Sequence, residues 1–374
     1  MQQAFAAAIA KQFPEFVRLS IHASASEATK LSVSLIPQIG TCSMTPWHST
    51  LVRGVDGSIT MSHALRVPAL THDLIYEDGR PTHFREKSDL FDWPEMDVTF
   101  QYLYPSGILI KAKDAIKKYS LHNVHMQKVR GLAEKCSPIV LRGFADTTNE
   151  RVFKAKAYDA GEVTPWTFGI MQKVTDARVS SRQANNVVSS EAMPMHYDGM
   201  FKFVKKTNPE TGIEEEVSDP PRFQYFTNIS PSPPGSGYTL FASSKLFFQH
   251  LPPQYTVEQI SKLKYECRNS GFWDSHMKNL DMVIPHPTTG LPCIRWHEPW
   301  PQWKTQFANC IVNIENGSQK YKQVINDLLY DRRVCLYFTW EQGDVLVNDN
   351  FNMMHTRTAF TGDSDRELWR IHFD

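Results

Sequence analysis

The chain has 374 residues, 41% hydrophobic and 12% aromatic, enough to bury a large core; at about 150 residues per domain this allows two domains, and a large β-barrel fits the same length as one. Lys plus Arg and Asp plus Glu each number 40, so the net charge is zero and no basic field invites nucleic acid or an anionic membrane. No run of about 18 apolar residues is present to span a bilayer, and the six cysteines (42, 136, 267, 293, 310 and 335) never form C-x-x-C, which reads as reduced, cytoplasmic thiols rather than a disulfide frame or a zinc site.

In chain order, MQQAFAAAIAKQF has no basic residue ahead of its apolar stretch, which argues against a secretory signal and for a helix over 3–18. Short candidate strands follow (SITMS, ALRVPAL), without repeats or low-complexity tracts. Residues 1–90 are read as an N-terminal elaboration packed on a core formed by 91–374. Residues 114–136 carry apolar side chains at helical spacing, Leu121, Val124 and Val129 among them, and predict a helix running into the β-branched strand SPIVLRGF, which Gly143 ends.

The stretch PMHYDGMF at 194–201 holds His196 and Asp198. On an extended strand these two point the same way with Cα atoms about 6.6 Å apart, close enough to share a metal ion. The charged stretch 202–221, with its NPETG turn signal, predicts a solvated loop or hairpin. Beside the H-x-D pair it is a candidate lid at 202–220, an inert insertion being the equal alternative. RFQYFTNISP reads as a strand and GSGYTLFASS as a turn into a strand or helix. Residues 256–271 predict a helix with Thr256 and Gln259 as a capping box and Gly271 as its stop. Residues 318–331 predict an amphipathic helix with Tyr321, Val324, Ile325 and Leu328 on one face.

The last fifty residues read as strand (RVCLYFTW), tight turn (EQGD), strand (VLVND) and final strand (RELWRIHFD), an antiparallel β pattern. On the final strand Arg366, Leu368, Arg370 and His372 share one face, expected to line a cavity. Glu367, Trp369, Ile371 and Phe373 share the other, expected to pack under helices. Within this region NDNFNMMH at 348–355 ends in His355. With His196 and Asp198 it makes two histidines and one carboxylate, a facial set that leaves metal positions open, as in non-haem Fe(II) oxygenases. Two rival motifs weigh less. His372-Phe373-Asp374 sits at the C-terminus, where chains fray unless tied down, and His297-Glu298 places adjacent side chains on opposite faces with no H-E-x-x-H following.

The run WEQGDVLVNDNFNMMHTRTAF…DRELWRIHFD resembles the C-terminal signature of the taurine/2,4-D dioxygenase-like (TauD/TfdA) family of Fe(II)/2-oxoglutarate-dependent oxygenases. Trp340, Gly343, Asp344, Asp349, Asn350 and His355 match in order, and Arg366 and Arg370 follow as the family's two arginines. Upstream, GSGYTLF is similar to the family's G-G-D-T-L-F and places Thr239, and HPTTGLPCIRW is similar to its H-P-x-T-G turn. The resemblance covers roughly residues 135–374. Three positions depart from it: Tyr197 stands where Thr or Ser is frequent, GSGY replaces GGD, and Phe351 follows the D-N pair where Arg is common.

The resemblance implies a mainly β fold with flanking helices and a double-stranded β-helix (jelly-roll, cupin-like) core. It implies Fe(II) on His196, Asp198 and His355, and 2-oxoglutarate held by Arg366 and Thr239 with Leu368 against its methylenes. It further implies O2 as second co-substrate, succinate and CO2 as products, and Arg370 toward the substrate's anionic group. The expected partner is a small-molecule carboxylate, an amino acid or derivative, undergoing hydroxylation, desaturation or ring closure in specialised metabolism. No nucleic-acid or membrane partner is expected, and a homodimer is left open. The alternatives are a non-catalytic β-helix binding or scaffold protein, against which the intact triad and Arg366 argue, and a zinc hydrolase, for which no general-base glutamate lies nearby.

Overall fold

A computed structural model describes residues 71–77, 80–113, 119–176, 186–209, 211–269, 275–315, 319–360 and 364–374, together with four backbone strands before residue 64. The chain divides into two units, Met1–Asp92 and Trp93–Asp374. In the first, β1 (Phe16–Ala23), β2 (Lys30–Pro37), β3 (Trp47–Arg53) and β4 (Ile59–His63) form an antiparallel sheet in chain order, and β5 (His72–Glu77) pairs with β6 (Arg80–Glu86). The SITMS strand is therefore present as β4. The expected helix over 3–18 is contradicted where it can be checked: residues 16–18 open β1, in which Val17, Leu19 and Ile21 alternate with Arg18, Ser20 and His22, a period of two. Residues 1–15 and ALRVPAL lie outside the described residues.

The second unit carries β7 (Val98–Tyr102), β8 (Ile108–Ala112), β9 (Ile139–Arg142), β10 (Met171–Thr175), β11 (Phe203–Thr207), β12 (Glu214–Ser218), β13 (Phe223–Ser230), β14 (Thr239–Ser243), β15 (Lys264–Asn269), β16 (Ser275–Asp281), β17 (Val283–Pro285), β18 (Pro292–Ile294), β19 (Cys310–Ile314), β20 (Cys335–Phe338), β21 (Val345–Asp349), β22 (Met353–Arg357) and β23 (Glu367–Phe373). Seven of these form one sheet in the order β10-β23-β13-β21-β9-β8-β7, and β20-β14-β22 form a second.

A period-two alternation presses the two sheets together. Val140, Val174, Phe226, Leu346 and Leu368 from the large sheet meet Phe241, Leu336, Phe338 and Met353 from the small one, with Trp340 between them. The intervening residues of the small sheet, Leu240, Ala242 and Met354, face the other way, into a core with Leu246, Phe247, Ile325, Leu328 and Leu329 of the helices Ser244–Gln249 and Gln319–Tyr330. On the outer face of the large sheet Phe153, from the helix Glu150–Ala160, stacks on Tyr225 with ring centroids 4.3 Å apart and tilts against Trp369. The apolar face of the final strand thus packs under a helix, as its alternation requires. This is the double-stranded β-helix core expected from the sequence.

Two expected helices are shorter than their spacing suggested. Of 114–136, residues 114–118 lie outside the described residues, and the α-helix starts only at Met126. Ser120 accepts a bond from the His122 amide, starts a separate 3-10 turn at Leu121–Asn123, and donates to Asp146. The helix from Thr256 has its capping box, with both Thr256 and Gln259 contacts formed, but ends at Ser261. The segment Lys264–Asn269 becomes a strand because it pairs with β16 and β19 and buries Tyr265 and Cys267, tertiary pairing overriding helical spacing. Residues 202–221 form the β11–β12 hairpin, which the paired Lys202 and Asp219 close at its base. Among the described residues no helix is long and apolar enough to cross a membrane.

Candidate metal and co-substrate site

Register puts the candidate residues on the inner faces. On β22, His355 and Arg357 share parity with Met353, whose side chain lies between the sheets. They pair with Phe241 and Thr239 of β14. On β23, Arg370 and His372 share parity with Leu368, as Gln224 on β13 does with Phe226. Arg366 precedes β23 by one residue.

His196 and Asp198 do not lie on a regular strand, which corrects the expected geometry. His196 forms an isolated two-bond bridge with His355, the amide of each donating to the other's carbonyl at 3.0 and 2.8 Å. Asp198 sits in the turn that follows. Asn350 holds that turn: its Oδ1 accepts from the Asp198 amide at 2.9 Å, and its Nδ2 donates to the Asp198 and Pro221 carbonyls at 3.0 and 2.8 Å. Gly199 completes it with φ +78°, where a Cβ would stand 2.5 Å from Pro221 Cδ, so only glycine fits. Asp349, beside Asn350, accepts from the Phe351 and Asn352 amides and faces His286 Nε2 at 2.8 Å. The D-N pair and the H-P-x-T-G turn are thus parts of one brace.

The three side chains converge, with one ligand atom of each within 4.8 Å of the others. Asp198 Oδ1 lies 3.5 Å from His196 Nε2 and 3.7 Å from His355 Nε2, and the two rings are 4.3 Å apart. His196 Nδ1 stands 2.8 Å from the Pro194 carbonyl, which takes its proton and leaves the Nε2 lone pair for the centre. Burial first, and then His196, hold His355 well below the usual imidazole range, so it is neutral, the ligand form. Burial alone would raise Asp198, but Arg370, His355, His196 and His372 outweigh it and hold the carboxyl well below its ordinary value. A buried carboxylate and two imidazoles suit a divalent ion such as Fe(II).

The other carboxylate oxygen is committed elsewhere. Asp198 Oδ2 accepts from Arg370 Nη1 at 2.7 Å, stands 2.8 Å from His372 Nε2 and also accepts from Gln224. Arg370 is therefore a partner of the metal carboxylate in this structure, while its Nε has no partner and the residue lines the adjoining cavity. His372 is not a ligand but a support: its Nδ1 accepts from Trp166 Nε1 at 3.0 Å. The C-terminus is tied rather than frayed, since Asp374 exchanges backbone bonds with Glu162 and accepts from the Arg222 amide.

Thr239 Oγ1 accepts from Trp340 Nε1 at 2.8 Å, which leaves its own proton free to be donated inward. Arg366 is 3% exposed, its Nη1 has no partner, and its guanidinium lies 5.1 Å from the Phe360 ring. Burial lowers it only to about 10, so it stays a buried cation, with Nη1 left over among the described residues. Such a group needs an anion.

Arg357 and Gln224 went unrecognised in the sequence. The Arg357 guanidinium lies 5.1 Å from the same Phe360 ring and donates to the carbonyls of Asn186, Val187, Ser189 and Glu191. It fastens the segment that brings Asn186 and Val187 to the cavity. The available signal was parity: Arg357 is two residues from His355, and Gln224 is two residues from Phe226 on the same face of its strand. The cavity beside Asp198 has aromatic walls, with Trp166 and Phe168 nearly parallel at 6.1 Å and Phe201 at 5.8 Å from Trp166.

Residues 109–372 match the taurine catabolism dioxygenase TauD, TfdA family. The chain belongs to this family. Its class follows: a TauD/TfdA oxygenase that uses Fe(II) and 2-oxoglutarate. Residues 1–75, for which motifs offered no counterpart, match a second family, pyoverdine/dityrosine biosynthesis protein. The isocyanide synthase xanB of Aspergillus fumigatus is 51% identical over 376 residues, covering 99% of this chain and 49% of that protein, so the chain spans about half the length of this relative. The 3-((Z)-2-isocyanoethenyl)-1H-indole synthase of Fischerella ambigua is 27% identical over 72% of this TauD/TfdA chain and 93% of its own. Among solved structures, PvcB, an Fe, alpha-ketoglutarate dependent oxygenase from an isonitrile synthetic pathway, has TM-score 0.54 and 21% identity over 74% of this chain and 91% of that one, a likeness of fold.

Proposed function

We propose that this chain oxidises an aromatic, isocyano-bearing small acid at an iron held by His196, Asp198 and His355. The observation that carries the proposal is the convergence of those ligands beside an aromatic-walled cavity that Arg370 also lines with an unpartnered nitrogen. The iron, when bound, supplies O2 activation coupled to oxidative decarboxylation of 2-oxoglutarate to succinate and CO2. The protein's own work is placement. Arg366 and Thr239 take the distal carboxylate of 2-oxoglutarate, Arg366 through the bidentate geometry a lysine lacks. Arg370 neutralises Asp198 and offers its remaining nitrogen to the substrate's carboxylate.

Trp166, Phe168 and Phe201 receive the substrate's ring, and the β11–β12 hairpin, which follows Phe201 directly, serves as a lid. The isocyano group is inferred from the relatives' names. Desaturation is the favoured outcome, since the Fischerella relative is named for an isocyanoethenyl product: two hydrogens leave the substrate and emerge in water as 2-oxoglutarate gives up CO2. Cys267, Cys293, Cys310 and Cys335 are buried free thiols, which supports a cytoplasmic setting. Nucleic acid has no place in this reading, and a homodimer is compatible with it.

The test is direct. Purified chain with Fe(II), 2-oxoglutarate and ascorbate is offered isocyano derivatives of tyrosine and tryptophan alongside the parent amino acids. Succinate release and a product lighter by two hydrogens are expected with the isocyano acids alone. Release that is equal with the parent amino acids would remove the isocyano assignment.

A further inference from the structure

Cys267 on β15 and Cys310 on β19 meet across adjacent antiparallel strands with their sulfurs 3.2 Å apart. Cys267 is opposite Val312 and Cys310 opposite Asn269, so the two are diagonal neighbours. Diagonal Cα atoms stand about 7–8 Å apart, at or beyond the reach of an unstrained disulfide. The arrangement therefore brings two free thiols together where bonding to each other is geometrically disfavoured. His297 completes the group: its Nδ1 is 3.4 Å from the Cys310 sulfur, and one ligand atom from each of the three lies within 4.8 Å of the others. Both cysteines are buried and free, while His297 also lines the cavity, its ring 6.1 Å from that of His196. No step at the iron site uses any of the three.

We propose that Cys267, Cys310 and His297 form a second metal site, of zinc class, built into the cavity wall beside the iron site. Two thiolates and an imidazole are a set zinc accepts with a fourth position left for water or another donor. Zinc bonds of about 2.3 Å to sulfur and 2.0–2.1 Å to nitrogen put tetrahedral sulfurs about 3.8 Å apart, and sulfur and nitrogen about 3.5 Å apart. The Cys310–His297 spacing of 3.4 Å already fits, and the sulfurs need to part by only about 0.6 Å. His297 Nδ1 also lies 2.9 Å from the Glu298 carbonyl, a bond the ion would replace. Binding releases the two thiol protons and leaves zinc carrying two thiolates, with no change of oxidation state. An ion here would fix the His297 ring in the wall that faces His196.

The experiment uses the full chain, stripped with chelator under reducing, anaerobic conditions and titrated with Co2+ alone, then with Zn2+. A strong near-ultraviolet thiolate-to-cobalt band is expected, lost on adding Zn2+. The band should persist in His196→Ala/His355→Ala, which separates this site from the iron triad, and vanish in Cys310→Ser. After gel filtration, zinc content should fall by one equivalent in the cysteine variant relative to wild type. A wild-type chain that takes up Co2+ without the band overturns the proposal, and so does a band that survives in folded Cys310→Ser. If that variant does not fold, Cys267→Ser is read by the same criterion, and the wild-type titration stands without either.

Discussion

Removing the Arg370 guanidinium should destabilise the protein much more without metal than with it. Arg370 Nη1 sits 2.7 Å from Asp198 Oδ2, and the two side chains are 11% and 10% exposed, so this is a buried ion pair. Breaking such a pair from one side costs about 3–5 kcal/mol because a charge is left uncompensated. His372 and Gln224 remain on the same oxygen and soften the loss, which puts the expectation for metal-free Arg370→Ala near 3 kcal/mol. A divalent ion on Oδ1 supplies the missing positive charge, and the penalty should then fall to about 1 kcal/mol. A difference of about 2 kcal/mol between the two states corresponds to roughly thirty-fold tighter metal binding by the variant. Urea unfolding with chelator and with Mn2+, which occupies the site without oxygen chemistry, measures both quantities.

The pH dependence of the same variant has a defined sign. Asp198 is held below its ordinary value in the fold, so its contribution is present above the unfolded carboxyl pKa and is lost as pH falls through the depressed folded one. Metal-free wild type should therefore exceed Arg370→Ala most near neutrality, and the two should converge under acid. An equal penalty with and without Mn2+ would refute the view that Arg370 is the carboxylate's counter-charge.

Changing His196, Asp198 or His355 to Ala should abolish substrate-dependent succinate formation and sharply weaken Fe(II) binding while far-ultraviolet circular dichroism stays native; full activity in folded His355→Ala would end the triad assignment. Arg366→Ala should raise the 2-oxoglutarate concentration needed for half-maximal rate by at least a hundredfold, since a buried charge-assisted contact is worth about 3–5 kcal/mol when one partner is removed. Arg366→Lys should recover only part of this, and an unchanged requirement would mean that another residue holds the distal carboxylate. The β11–β12 hairpin should gain hydrogen-exchange protection when metal, 2-oxoglutarate and an isocyano acid are all present. Equal protection with and without them would leave it an inert insertion.

The parts legible in the sequence were those set by period-two alternation and by short motifs. The two faces of the last strand, the inner-face position of His355 and the amphipathic helix at Gln319–Tyr330 all follow from side-chain parity or helical spacing. Helix length was less legible, because spacing across 114–136 and 256–271 does not report that Ser120 starts a separate turn or that β19 claims the 264–269 segment. The thiol–imidazole group was illegible for a different reason. Cys267, His297 and Cys310 obey no local spacing rule and meet only because β15 and β19 pair. Arg370 was legible as an inward cation, but its pairing with Asp198 depends on where the turn at 198 falls, and Asn350 sets that through contacts remote in sequence.

The departures at Tyr197 and Phe351 look independent in sequence and are one feature in the structure. The Arg295 guanidinium lies 3.4 Å from the Tyr197 ring centroid and 4.9 Å from that of Phe351, and donates to the Asn350 carbonyl at 2.8 Å. A buried arginine thus sits against two aromatic rings, one between the metal ligands and one beside the D-N pair. A guanidinium against aromatic faces in a desolvated site gains about 2 kcal/mol or more per contact. This offsets part of the cost of burying a charge that has no carboxylate partner among the described residues and whose Nη2 is unpartnered there. A small residue at 197 would leave that cation facing a void, and an arginine at 351 would set a second positive charge against it. The two unusual residues therefore stand or fall together. Because Arg295 holds the Asn350 carbonyl while the Asn350 side chain holds the Asp198 backbone, the stack reaches the metal carboxylate through two hydrogen bonds.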